Sequence, residues 1–252
     1  MLENKIIFCA TDKDLAKDVW PHPKPAGHFV PEEYKKMPRF TDNSKLQSTV
    51  KTCIPFLDAM TCGYIIPFDQ DYLVQYLEND FNVVPANRKE DEHQFHQPHQ
   101  TPASWKQRKD VYGISGKFMN KWLIKTPPGY SCYFMHPVNR GLDRWEIIAG
   151  VVDTDSYISE INFPYIMKKS SDTEFLIKKG TPLVQIFPFK RQNWKMWSGF
   201  YKEYEHNVTN NKTWSEFFDR YKKCFGIKRI LNDIYRSIHK GLRKLYTNRC
   251  LQ

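Results

Sequence analysis

Residues 126–191 read TPPGYSCYFMHPVNRGLDRWEIIAGVVDTDSYISEINFPYIMKKSSDTEFLIKKGTPLVQIFPFKR. Within this stretch Tyr130–Met135, Trp145–Val152, Ile161–Met167, Phe175–Ile177 and Leu183–Phe189 are short apolar runs. Breaks rich in Pro, Gly, Asn, Asp or Lys separate them. Runs of about four to eight residues, rich in β-branched and aromatic side chains and closed by turn formers, read as strands. Their regular spacing predicts a mainly β body of sandwich, jelly-roll or small-barrel type.

Working outward, Trp122–Ile124 reads as one more strand, and so do residues 3–9 near the start. Trp20-Pro21-His22-Pro23-Lys24-Pro25 is an extended, polyproline-like connector over the surface, because proline fixes φ and lacks the donor a helix or central strand needs. Thr49–Met60 predicts a turn or short helix beginning at Pro55, and Gly63–Phe68 a strand. In Asp71–Glu78 the alternation of Tyr72, Val74 and Tyr76 favours a strand over a short helix. Asn87–Thr101 is strongly polar, with Pro98 and Pro102 at or beyond its end, and reads as a loop.

Beyond Lys195 the period changes. Ile227, Ile230, Leu231, Ile234, Ile238, Leu242 and Leu245 follow steps of three and four, which predicts an amphipathic helix. Lys228, Arg229, Arg236, Lys240, Arg243 and Lys244 occupy the rest of its circumference and are its candidate contacts to a partner. The formal charge of +10 also belongs to this end: residues 186–252 carry 15 Lys+Arg against 5 Asp+Glu, and the remainder is neutral. All 16 prolines lie at or before Pro188. The expected organisation is a β-rich body at 1–195, with its core at 120–191, and a basic, Pro-free helical appendage at 196–252.

Hydrophobic residues make up 40% and aromatic residues 15% of the 252, which excludes a disordered or fibrous chain. No apolar run approaches the length of a membrane span, and the start turns polar before a leader core forms. The expectation is a soluble protein without a transmembrane segment. The six cysteines form no CxxC pair and read as free thiols. The seven tryptophans and 14 tyrosines read mainly as core and core edge, with a minority available to stack on bases or sugars.

Three groups carry possible chemistry. His93, His96 and His99 stand three apart beside Glu90, Asp91 and Glu92. They read either as metal ligands folded around an ion or as a solvated polar loop, and Pro98 forbids a regular helix presenting all three. His136, beside Pro137, reads as structural. The third group lies between Thr126 and Arg191. There a Pro/Gly turn enters a strand, a buried strand ends in Asp153 and Asp155, and a further Gly turn enters a strand bearing Gln185. At the end of an apolar run Asp153 would be partly desolvated, which suits a general base, and Asp155 could bind a cation. The alternative is that both aspartates cap a turn.

The order Thr126-Pro127-Pro128-Gly129-Tyr130-Ser131, Gly150-Val151-Val152-Asp153-Thr154-Asp155 and Gly180-Thr181-Pro182-Leu183-Val184-Gln185 resembles the β-clip core of the dUTPase and dCTP deaminase superfamily. That resemblance implies a β-clip fold and a nucleotide hydrolase or deaminase-like activity. It casts Asp153 as the water-activating aspartate, Ser131 as a phosphate contact and Gln185 as the structural glutamine. Ser131, Tyr130, Tyr157 and Gln185 would surround the ligand, with Asp155 beside the catalytic group; the cofactor stays open, magnesium being an option if the ligand is a nucleotide. A homo-oligomer, naturally a trimer, would be the assembly. Ser156 stands where that superfamily has a tyrosine, Tyr157 follows one step later, no arginine accompanies Ser131, and no Gly-rich tail covers the phosphates.

The same phrases, with Pro23–Ala26, Thr49–Met60 and Lys125–Ser131, resemble a family of uncharacterised proteins of tailed phages, notably cyanobacterial ones, and of some bacteria. This second resemblance implies a viral protein of the host cytoplasm or the virion. Three functions follow as expectations. The first is a small-ligand protein with a nucleotide-like pocket in the body. The second is a virion or assembly protein docking through its basic helix onto an acidic partner. The third is a non-specific nucleic-acid binder using that helix.

Overall fold

In the computed structural model the described residues are 5–10, 21–41, 47–86, 96–99, 108–142, 144–196 and 198. The chain divides into two compact units, Met1–Gln192 and Asn193–Gln252, and every element below belongs to the first. The basic appendage residues Lys228, Arg229, Arg236, Lys240, Arg243 and Lys244 lie outside the described residues.

The strands are β1 (Ile7–Ala10), β2 (Lys24–Pro25), β3 (Tyr64–Pro67), β4 (Tyr72–Tyr76), β5 (Phe81–Pro85), β6 (His96–His99) and β7 (Val111–Phe118). They continue with β8 (Trp122–Lys125), β9 (Tyr130–Met135), β10 (Trp145–Ile147), β11 (Gly150–Val152), β12 (Phe163–Lys168), β13 (Glu174–Ile177) and β14 (Pro182–Lys190). Two short helices, α1 (Glu32–Lys36) and α2 (Ile54–Thr61), precede β3. The body is therefore mainly β. Its antiparallel sheets run β11-β9-β14-β3-β2, β10-β12-β7-β6, β13-β4-β5 and β1-β8, and among the described residues none closes into a barrel. No helix among them is long and apolar enough to cross a membrane.

Alternation sets the faces. In β5, Phe81 and Val83 are buried while Asn82 is exposed, so one face meets the core. All four sheets contribute to a single apolar cluster, which includes Ile66, Val74, Phe118, Ile124, Phe134, Tyr165 and Ile186. Aromatic rings tie it together: Phe118 stacks on Tyr165 with centroids 4.0 Å apart, and Phe68 meets Phe118 edge-on at 4.9 Å. Each such pair adds about 1 kcal/mol beyond the area it buries. Trp122 and Trp145 are in this core, as expected for most of the large rings.

The prolines sit where a missing donor costs least. Pro25 lies on the two-residue edge strand β2, and Pro98 on β6, at the end of its sheet. Pro188 falls where β14 has β9 on one side only, because its pairing with β3 ends at Ile186. Two expectations are corrected. Residues 96–99, expected in a loop, pair with β7 as strand β6, because an edge position tolerates Pro98. The run Trp145–Val152 is not one buried strand: the chain leaves β10 in the four-stranded sheet and enters β11 at the edge of the five-stranded one. Gly150 and Val151 are accordingly exposed.

Candidate functional site

The site grows from the turn Pro127-Pro128-Gly129-Tyr130. The Tyr130 amide donates to the Pro127 carbonyl at 3.2 Å, proline occupies the second position, and Gly129 supplies the positive φ of 84° at the third. This turn launches β9, which lies between β11 and β14. The register sets Ser131 opposite Phe189, and Tyr133 opposite both Phe187 and Val151. Those residues form the outer face of the sheet, while Cys132 and Phe134 face the core. Burial pushes the Cys132 thiol up, away from the thiolate a nucleophile needs.

On the outer face three strand ends bring one polar cluster together. The Ser131 hydroxyl donates to Asp153 Oδ1 at 2.6 Å, and Arg191 Nη1 donates to Ser131 Oγ at 3.0 Å. Arg191 also grips Asp155 with both nitrogens, Nη1 to Oδ1 at 3.0 Å and Nη2 to Oδ2. It lies 3.2 Å from Asp153 Oδ1. Asp155 Oδ2 accepts in addition from the Gly129 amide at 2.8 Å. The Arg191 guanidinium, and then the Gly129 N–H, hold the Asp155 carboxyl well below the usual carboxylate range. Charge-assisted bonds from a bidentate arginine are the stronger kind.

The desolvated Asp153 expected from sequence is not found. Its side chain is 59% exposed, because β11 is a three-residue edge strand and not the end of a buried run. Its carbonyl also closes a turn, accepting from the Ser156 and Tyr157 amides at 3.0 and 2.9 Å. The two aspartates therefore hold turns, and Asp155 is fully engaged in doing so. Tyr157 is exposed, and its carbonyl accepts from Lys125 Nζ at 2.6 Å.

Thr154, between the aspartates, points the other way. Fully buried, it shares a hydrogen bond with the Thr126 hydroxyl at 2.7 Å and reaches Cys132 Sγ at 3.3 Å. On this inner side a cavity of about 150 Å³ opens, lined by Lys5, Ile6, Tyr64, Thr126, Pro127, Tyr130 and Pro188. Cavities of about that size hold one benzene ring. Lys5 is exposed and has no acidic partner among the described residues. The cavity and the Asp153–Arg191 cluster thus occupy opposite faces of the sheet and meet at the 126–131 turn.

Of the expected ligand residues, Tyr130 lines the cavity and Ser131 belongs to the outer cluster. Gln185 belongs to neither, which corrects its expected ligand role. It is fully buried. Its Nε2 donates to the Ala59 and Cys62 carbonyls at 3.0 and 2.7 Å. Its Oε1 accepts from the Val138 amide at 3.0 Å and from Arg140 at 3.1 Å, leaving nothing for a ligand. His93 lies outside the described residues, and His96 and His99 stand at the two ends of β6. No group of three or more His, Cys, Asp or Glu able to hold a metal occurs among the described residues. His136 is structural: Nε2 meets the Leu142 carbonyl at 2.7 Å, Nδ1 accepts from the Ile147 amide, and burial pushes its pKa down.

Arg191, Lys5 and Tyr64 were not found by sequence reasoning. Arg191 is 60 residues from Ser131, and only the pairing of β14 with β9 joins them. The arginine missing beside Ser131 in the sequence is present beside it in space. No protein-family model matches the chain, and no curated protein matches it.

Proposed function

We propose that the body binds a small planar ligand carrying negative charge, of nucleotide type, in the cavity beneath the 126–131 turn. The observation that carries this reading is the cavity itself, with Tyr64 and Tyr130 among its walls and Lys5 at its lining. Aromatic and proline surfaces favour a flat ring, and an ammonium group without an acidic partner among the described residues favours an anion. The volume accepts one six-membered ring, so a pyrimidine is preferred to a purine, with the sugar and phosphate outside and near Lys5. Asp153 faces the other side of the sheet, so the reading is one of binding and does not use Asp153 as a base. A sandwich-type body of the β-clip or jelly-roll kind is part of this reading, supported by the single core that the four sheets share.

Thermal melting of the full chain tests it with the deoxynucleoside mono- and triphosphates. Deoxyuridine or deoxycytidine monophosphate at about 100 times its Kd is expected to raise Tm by about 5 °C. Lys5→Ala and Tyr130→Ala should each remove most of that shift, and Asp153→Asn should leave it intact. No shift with any nucleotide of the panel would sink the proposal.

A further inference from the structure

The 126–131 turn is gripped from both sides of the sheet. From the outer face, Asp155 accepts from the Gly129 amide at 2.8 Å, Arg191 Nη1 donates to the Tyr130 carbonyl at 3.0 Å, and the Arg191 amide donates to the Gly129 carbonyl at 2.8 Å. From the inner face, the Thr126 hydroxyl reaches the same Tyr130 carbonyl at 3.3 Å and is itself bonded to Thr154. Pro127 and Tyr130, the residues so held, are walls of the cavity. Side-chain exposure is 12% for Asp155 and 39% for Arg191, and it is the two-pronged geometry that sets this pair apart from the loosely held surface ion pairs that contribute little.

We propose that Asp155 and Arg191 are positioning residues for the cavity on the opposite face, acting through the turn that carries Pro127 and Tyr130. Neither touches the ligand space. Their carboxylate–guanidinium bond fixes the guanidinium that holds the Tyr130 carbonyl, and the carboxylate holds the Gly129 amide directly. Loss of the carboxylate leaves the Gly129 amide without its acceptor and loosens one of the two donors to the Tyr130 carbonyl, which lets the cavity wall move. Residues 126–129 lie between β8 and β9, outside the ladders that hold those strands, so the effect is local. The part of this inference that concerns affinity rests on the proposed ligand reading.

The test compares the full wild-type chain with Asp155→Ala and Asp155→Asn, by hydrogen exchange and by calorimetric titration with deoxyuridine monophosphate. Asp155→Ala is expected to speed exchange across 126–131 by about tenfold or more while β4 and β12 stay protected, and to weaken the nucleotide about tenfold. Asp155→Asn keeps an acceptor for the Gly129 amide without the charge, so it should fall between the two. Unchanged exchange in the turn would overturn the proposal. A uniform rise over all strands would also overturn it, since that is ordinary loss of stability. So would a loosened turn with unchanged affinity. If the wild-type chain binds no nucleotide, the ligand reading fails, and the exchange pattern alone decides the positioning role.

Discussion

Gly63→Ala is expected to lower the stability of the body by about 3–5 kcal/mol, or to prevent folding altogether. Gly63 joins α2 to β3 with φ at +73°, in the left-handed region that other residues occupy only under strain. There is also no room: an added Cβ would lie 2.1 Å from the Ile186 carbonyl oxygen and 3.1 Å from its carbon. That carbonyl is backbone of β14, the strand paired with β3 and β9, and has no side-chain freedom with which to yield. The Gly63 carbonyl meanwhile accepts from the Ala26 amide at 2.9 Å, so the turn cannot rotate away without losing a bond. Gly180 provides the control. Its φ of +85° is as unfavourable, but nothing lies within 4 Å of its added Cβ, so Gly180→Ala should cost only about 1 kcal/mol. Urea denaturation of the two variants separates the terms. Equal losses would mean that the close approach at Gly63 has no energetic weight.

The second large effect is expected at Arg140, which is 8% exposed and makes no ion pair with an acid among the described residues. Its guanidinium donates from Nη1 to the Val138 carbonyl at 2.9 Å and to Gln185 Oε1 at 3.1 Å. From Nη2 it donates to the Ala26 and Met60 carbonyls at 3.0 and 2.6 Å. Met60 and Ala59 lie in the last turn of α2, and Cys62 follows it, where carbonyls have no partner within the helix. Arg140 and Gln185 supply those partners from the strand side, and the partial negative charge of a helix C-terminus favours the cation. Burial still disfavours the charge and brings the arginine pKa down to about 10, well above neutral pH, so it stays protonated. Arg140→Met would take a donor from four acceptors at once, Gln185 Oε1 keeping the Val138 amide, and should cost about 3–5 kcal/mol, or about 10 °C in Tm. Arg140→Lys should rescue little, because one ammonium cannot span the four acceptors the planar fork reaches. Arg108→Ala, on the exposed pair with Asp110, should cost less than about 1 kcal/mol. Similar losses at Arg140 and Arg108 would contradict the role given to the buried network.

Much of the β architecture is legible in the residues, and the reason is local. β3, β9 and β14 are each announced by a Gly or Pro turn and are rich in aromatic and aliphatic residues, largely buried in runs and not in strict alternation. β7 is not legible, because Gly113 and Gly116 interrupt its apolar text; its pairing with β12 and β6 holds it extended. The continuous run Trp145–Val152 hides a change of sheet, since apolar spacing does not say which neighbour a strand will have. The candidate site divides in the same way. The turn at Pro127–Tyr130 and the aspartates after β11 can be picked out from the sequence. Arg191, Lys5 and Tyr64 reach the turn only through tertiary pairing. Gln185, read as a ligand residue, supports a helix end because α2 packs over that part of the outer face. Asp153 and Asp155 flank the inward Thr154, and that alternation separates the charged cluster from the cavity.

The proposed ligand space lies on the inner face of the sheet, under the 126–131 turn. It can be checked by a crystal structure of the full chain with deoxyuridine monophosphate at saturating concentration. The pyrimidine ring is expected between Tyr64 and Tyr130, its phosphate near Lys5, and the Asp155–Arg191 bond intact on the far face. Nucleotide bound instead at Arg191 and Asp153 on the outer face, or an empty cavity at saturation, would contradict it.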